Sequence, residues 1–338
     1  MFLIIHFGCS DHANNPAAVV SPAFYHWKTE FAPTAFEWDV ISQNKVKDIY
    51  LRFFDVSWDN SYNRPLPVAQ LRMADKNIIA QKNITVIPTV FITNECIKNI
   101  GLDQCSSLAK KIYQLVNDVA RVNAVDSFSE IQVDCDWTAT TKEKYFSLLT
   151  ALQQIDSSHV YSATIRLYQV KYVTNAGVPP VKKGLLMCYN MGNLKDASIS
   201  NSILDPATLE KYTTNLNSYP LPLDVALPLF DWYVLFRKNE YKGLLQQVNE
   251  AGLKMLAKPI GKNRWEILMD TTWRNISFQR GDVLRHEMSD FKDILQSAGI
   301  IRKKLSNRQL RLSLYHLDSI TLSKYSAHEM EAIFRSLR

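Results

Sequence analysis

The chain reads as a single α/β domain, a (β/α)8 TIM barrel with a large insertion between its seventh and eighth strands. Three observations predict this. Eight short apolar runs rich in β-branched and aromatic residues recur along the 338 residues, helical patterns separate most of them, and polar or acidic residues stand where the runs end. Strands that alternate with helices pair in parallel, and a closed parallel sheet gathers its strand ends at one mouth.

In order, the strands are expected at Phe24–Trp27, Ile49–Val56, Thr85–Ile92, Ile131–Trp137, Tyr161–Tyr168, Gly184–Asn190, Asp224–Asp231 and Leu310–His316. Helices are expected at Leu108–Val122, Thr141–Ile155, Pro206–Leu216 and Phe291–Lys304, each with apolar residues three and four apart, and Ala327–Leu337 closes the chain. Two connections break the pattern. Val170–Lys183 contains Gly177-Val-Pro-Pro180 and is too short and proline-rich for a full helix. The stretch 232–309 is expected to hold a helix near Tyr241–Ala251, a β excursion through Trp265–Trp273 and the helix from Phe291. So long an excursion from a compact domain is usually functional.

A hydrophobic content of 46% with only 10 glycines supports a large core. The net charge of +6 is spread along the chain, with its densest stretch at Arg302, Lys303, Lys304, Arg308 and Arg311. That balance does not support nucleic-acid binding, and no run of about 18 apolar residues offers a membrane-spanning helix. Phosphate-loop, dinucleotide, nucleophile-elbow and paired-ligand spacings are absent, so no cofactor or metal is expected.

Met1–Ser10 resembles the tail of a bacterial lipoprotein signal, an apolar stretch running into Gly8-Cys9, and Asp11–Val20 comes after it as a polar tether. This implies a lipid anchor at Cys9, residues 1–20 as signal remnant and tether, 21–338 as the barrel, and a cell-envelope location. The alternative is an ordinary first strand in a cytoplasmic protein. Cys96 and Cys105 flank a short polar loop and could pair in an oxidising compartment. Cys135 and Cys188 sit mid-strand as small buried hydrophobes.

The polar strand ends gather His26, Asp55 with Asp59, Asn94 with Glu95, Asp134 with Asp136, Arg166, Tyr189 with Asn190, Asp231, and His316 with Asp318. Trp27, Trp58, Trp137 and Trp232 stand at the same level. Asp134 and Asp136, two apart on a strand, share a face roughly 6.5 Å apart. Carboxylates with flat aromatic rings suit glycoside chemistry, where a pair of acids serves an oxocarbenium-like transition state. The partner expected is therefore carbohydrate.

Val133-Asp-Cys-Asp-Trp137 resembles the strand-four motif of family-18 chitinases and endo-N-acetylglucosaminidases, and Met187-Cys-Tyr-Asn190 resembles their strand-six signature. With Thr164-Ile-Arg-Leu167 and Gly177-Val-Pro-Pro180, the chain also resembles an uncharacterised group of bacterial TIM-barrel proteins. The chitinase resemblance implies that Asp134, Asp136 and Tyr189 hold a substrate acetamido group. It departs at one position: the general-acid glutamate directly after the aromatic residue is here Thr138, whose hydroxyl cannot protonate a leaving oxygen.

The leading reading is a glycan-active hydrolase centred on Asp134 and Asp136, with Asp231, Glu95 or Asp55 as the missing acid. Asp231 comes first, because burial beside Trp232 would raise its pKa. Arg166 either neutralises the acids or binds substrate, and Trp137, Tyr189, Asn190 and Trp232 contact the sugar. The alternative is a non-catalytic glycan-binding or scaffold barrel. Blander roles stand beside these: helix capping for Asp134 and Asp136, turn formation for Asp55 and Asp59, and packing for His26 and His316.

Overall fold

A computed structural model describes residues 18–338 apart from 247, 249, 274 and 275, so Cys9 and most of the tether lie outside the described residues. Eight parallel strands close into a barrel. They are β1 (Val19–His26), β2 (Asp48–Asp59), β3 (Thr85–Ile92), β4 (Glu130–Asp134), β5 (Val160–Arg166), β6 (Lys183–Met187), β7 (Leu223–Pro228) and β8 (Gln309–Tyr315). Closure is made by β1, which aligns Tyr25 with Tyr50 of β2 on one side and Tyr315 of β8 on the other. The two inner phenol rings of Tyr25 and Tyr50 stack at 5.2 Å.

The helices form where apolar residues repeat. Leu108, Ile112, Val116 and Val119 make one buried stripe on Cys105–Val122, and Tyr145, Leu148, Leu149 and Leu152 do so on Lys142–Ile155. Each such side chain removed from water contributes about 1.5–3 kcal/mol. Between β5 and β6 stand only two short helices, Leu167–Lys171 and Val173–Ala176, ended at Gly177, whose φ is +75°.

At the strand starts a charge cluster plugs the barrel. Arg311 holds Asp48 at 2.8 Å and Glu130 at 2.5 Å, Lys183 holds Asp224 at 2.5 Å, and the Tyr50 hydroxyl donates to Asp224 at 3.1 Å. Glu130 and Asp224 are buried, so this pairing is what makes their burial tolerable.

The insertion after β7 is mostly β-structure. Asp231–Arg237, Glu240–Leu245, Ala257–Gly261, Arg264–Ile267 and Val283–Met288 form a five-stranded antiparallel sheet over a separate core that includes Tyr233, Leu245, Ile267 and Leu284. The helix expected near Tyr241–Ala251 is therefore corrected to a strand, with a helix only at Glu250–Leu256. The reason is the turn: Lys238 and Asn239 have φ of 51° and 65° between the paired Arg237 and Glu240, a two-residue hairpin that returns residues 240–245 to the sheet.

Three smaller expectations change as well. Strand seven ends at Pro228, and Asp231 opens the insertion. Asp55 forms no turn, because β2 runs on through it, whereas Asp59 ends that strand and accepts from the Ser61 and Tyr62 amides at 2.8 and 3.2 Å, turning the chain back to pair through Arg64–Val68. Cys96 and Cys105 are free thiols, as are Cys135 and Cys188, and all four are buried.

Candidate functional site at the barrel mouth

Opposite the plugged end, the strand ends surround a cleft of about 510 Å³, and a second hollow of about 340 Å³ adjoins it across Asp136 and Arg166. Asp134 is the last residue of β4. Cys135 turns into the core, and Asp136 returns to the mouth, so both acids line the cleft as period-two alternation requires.

Their surroundings differ. Asp136 is half exposed and bound by the Arg166 guanidinium, Nε to Oδ1 and Nη2 to Oδ2 at 3.2 Å. The cation answers the charge, and the forked geometry fixes the carboxylate plane. Asp134 is 2% exposed and accepts a hydrogen bond from Thr164 Oγ1 at 2.5 Å. Burial pushes its pKa up to about 6; the Arg166 charge and the Thr164 bond oppose this, and neighbouring Asp136 and Asp55 add to it. Neither acid caps a helix: the next one begins after Thr141, beyond the strand.

Tyr189, just past β6, lines the same cleft and buries its hydroxyl without a partner among the described residues. Arg166, Asn190, Asp231 and Trp232 line it too. Asn190 takes a φ of 54°, and its amide donates to the Ile203 carbonyl at 2.8 Å, which turns the chain away from the mouth after β6.

Asp231 does not have the raised pKa expected of it. Burial pushes it up, but hydrogen bonds from His286 and Lys324 and the Lys324 charge outweigh this and hold it below the usual carboxylate range. Trp232 does wall the cleft, and its indole donates to Glu287 at 2.7 Å. Glu287 is fully buried and paired with the equally buried Arg285, so the insertion's own core sets the ring.

Three predicted residues lie elsewhere. Trp137 is fully buried, stacked on Tyr145 at 5.1 Å and donating its Nε1–H to the Ala176 carbonyl at 2.9 Å, so no sugar reaches it. Its indole sits on the helix side because the alternation that turns Asp134 and Asp136 to the cleft turns Cys135 and Trp137 away from it. Glu95 is exposed in the first turn of the short helix Asn94–Asn99, where its charge meets the helix N-terminus outside the cleft. Asp55 is buried and bound by Arg52 beneath the cleft lining. Thr138, where the resembled motif has glutamate, bonds to Thr140 and Thr141 and does not line the cleft.

The structure adds lining residues that the sequence did not single out: Phe230 and Tyr315, which form an aromatic wall with the expected Trp27, and Gln246 from the insertion. His316, expected to pack, also lines the cleft, whereas His26 is buried with its pKa lowered to about 3 by burial. The signal for His316 was its place one residue beyond β8. Among the described residues no three His, Cys, Asp or Glu side chains group as metal ligands, and no helix is long and apolar enough to cross a membrane.

No family model matches the sequence, and no curated protein matches it. Solved structures do resemble the fold. The spore cortex-lytic enzyme SleL of Bacillus cereus is 13% identical with a TM-score of 0.57, over 96% of this chain and 75% of that one. A chitinase from Bacteroides thetaiotaomicron is 11% identical with a TM-score of 0.56, over 94% and 97% of the two chains. A chitinase from Chromobacterium violaceum is 11% identical with a TM-score of 0.54, over 93% and 99%. At these identities the likeness is one of architecture: the chain has the TIM-barrel fold of chitinase-like enzymes.

Proposed function

We propose that the cleft binds and hydrolyses a glycan, with Asp134 as the proton donor. The observation that carries this is a contrast among the acids of the mouth. Asp136, Asp231 and Asp318 each pair directly with a cation, whereas Asp134 is hydrogen-bonded to the Thr164 hydroxyl without such a pair, and burial outweighs the Arg166 charge and lifts its pKa to about 6. Neighbouring carboxyl groups in such unlike environments are the arrangement acid catalysis uses. Asp134 would protonate the leaving oxygen as the glycosidic bond breaks. Asp136 would face the positive charge growing at the anomeric carbon, and water would then add there and give up its proton to a carboxylate. The aromatic wall of Trp27, Trp232 and Tyr315 suits stacking on sugar faces. The unpartnered Tyr189 hydroxyl suits a sugar acyl oxygen, the role its resemblance implies.

A second reading, binding without cleavage, is favoured by Thr138, which leaves the acid of the resembled motif unfilled. One experiment separates the two. Wild type and Asp134→Asn are titrated calorimetrically with β-linked oligosaccharides, including those of N-acetylglucosamine, and products are followed by chromatography. Cleavage lost in the variant with binding kept supports hydrolysis. Binding without cleavage by wild type supports the second reading, and no binding at all overturns both. We also propose that Cys9 carries a lipid that holds the protein in the cell envelope, which mass spectrometry of the native N-terminal peptide would test.

A further inference from the structure

One hydrogen-bond donor in the cleft is used by no group among the described residues. His316 comes directly after β8 and lines the cavity beside Trp27 and Lys28. The backbone amide of Trp27 points at His316 Nδ1 at 3.3 Å. An amide only donates, so Nδ1 must carry a lone pair, and turning the ring over would put carbon there and lose the bond. A neutral imidazole has one ring proton, which therefore sits on Nε2.

The ring is also kept neutral. Burial lowers its pKa to about 4; Lys28 adds to this, while Asp318 and Glu37 oppose it. The His26 ring lies 5.9 Å away and is itself neutral. The nearby acid Asp318 does not take the proton: one oxygen is held by Lys28, the other by the amides of Ile320 and Thr321 at 3.0 and 3.2 Å. Among the described residues nothing accepts from Nε2.

We propose that His316 is a ligand-positioning residue whose Nε2–H donates to an oxygen acceptor of the bound glycan, alongside the Tyr189 hydroxyl. The inference rests on the glycan reading above and deepens it. Two donors without acceptors select a ligand that presents two lone-pair oxygens, such as an N-acyl carbonyl and a neighbouring hydroxyl or ring oxygen. A sugar lacking one of them leaves a donor unpaired and binds less well.

The test uses the full chain and the oligosaccharide that wild type binds best, with N-acetylglucosamine tetramer as the first probe. His316→Phe keeps the ring and removes the donor, and should weaken binding roughly 3- to 10-fold, the worth of one net hydrogen bond. His316→Gln returns an N–H near Nε2 and should recover most of the loss, with melting temperatures showing that both variants fold. Nitrogen NMR of wild type should show Nε2 protonated and Nδ1 bare at neutral pH, with the Nε2 signal moving on ligand addition. That measurement stands even where a variant fails to fold. A proton on Nδ1, an Nε2 signal indifferent to bound ligand, or unchanged affinity in His316→Phe would each overturn the proposal. Wild type that binds no oligosaccharide overturns the glycan reading instead, and the NMR tautomer then reports on His316 alone.

Discussion

The two ends of the barrel are both ringed with charge, and the rings are built differently. At the strand starts Arg311 and Lys183 divide Asp48, Glu130 and Asp224 between them in direct ion pairs. At the strand ends the acids stand apart around about 510 Å³ of open space, where among the described residues Asp134 makes no direct ion pair and the Tyr189 hydroxyl has no hydrogen-bond partner. The plugged end arranges charge for stability. The mouth keeps an acid where its ionisation is disfavoured, which costs stability and leaves a group able to give up a proton near neutral pH.

That contrast makes opposite predictions. The largest effect is expected at Asp134. Asp134→Asn should lower glycan cleavage by about 10²–10⁴-fold, measured as initial rates. It should also make the protein more stable at pH 7. The folded-state pKa of about 6 lies above the ordinary 3.8, so the folded protein binds the extra proton and stability falls as pH rises between these values. The difference is worth about 2–3 kcal/mol at pH 7, and urea unfolding of the variant should have lost that pH dependence. A destabilised Asp134→Asn would break the comparison.

Next in size is the plug. Arg311→Met strands buried carboxylates and should cost about 3–5 kcal/mol, read by urea unfolding at pH 7, with ligand affinity unchanged in the cold. A loss under about 1 kcal/mol, as for a surface ion pair, would show the plug to be no stabilising counterpart of the mouth.

The tryptophans sharpen the same division. Trp232→Ala should weaken ligand binding by about 1 kcal/mol, as for one lost stacking contact, and lower the melting temperature as well, since buried Glu287 loses its indole donor. Trp137→Phe should leave affinity alone and lower stability, because the indole bond to Ala176 is lost in the core. The smallest effect is expected at Asp231. Its pKa is depressed by His286 and Lys324, so its stabilisation is present above about pH 4 and lost as pH falls through the folded value. Asp231→Asn should flatten the acid limb of the stability curve and leave neutral-pH hydrolysis largely intact. Loss of hydrolysis equal to that of Asp134→Asn would move the acid role to Asp231.

The sequence by itself determined the barrel. Eight apolar runs and amphipathic stripes such as Leu108 to Val119 fix which elements form, because burial and backbone hydrogen bonding are written locally in periods of two and 3.6. It also placed Asp134, Asp136, Arg166, Tyr189, Asn190, Asp231 and Trp232 at one mouth, since each closes a strand or stands just beyond one. What it could not give is the surroundings of each group. Asp231 and Asp134 look alike in sequence, and their pKa values move oppositely because Lys324, His286 and Thr164 arrive from distant segments. Trp137 and Trp232 each come directly after an acid; the first turns away from the cleft as strand alternation requires, whereas the second lines it together with Asp231. Where the chain bends after a strand, and what packs across the gap, depends on contacts between segments far apart in sequence. Those contacts set charge, burial and direction, and only the tertiary structure decided them.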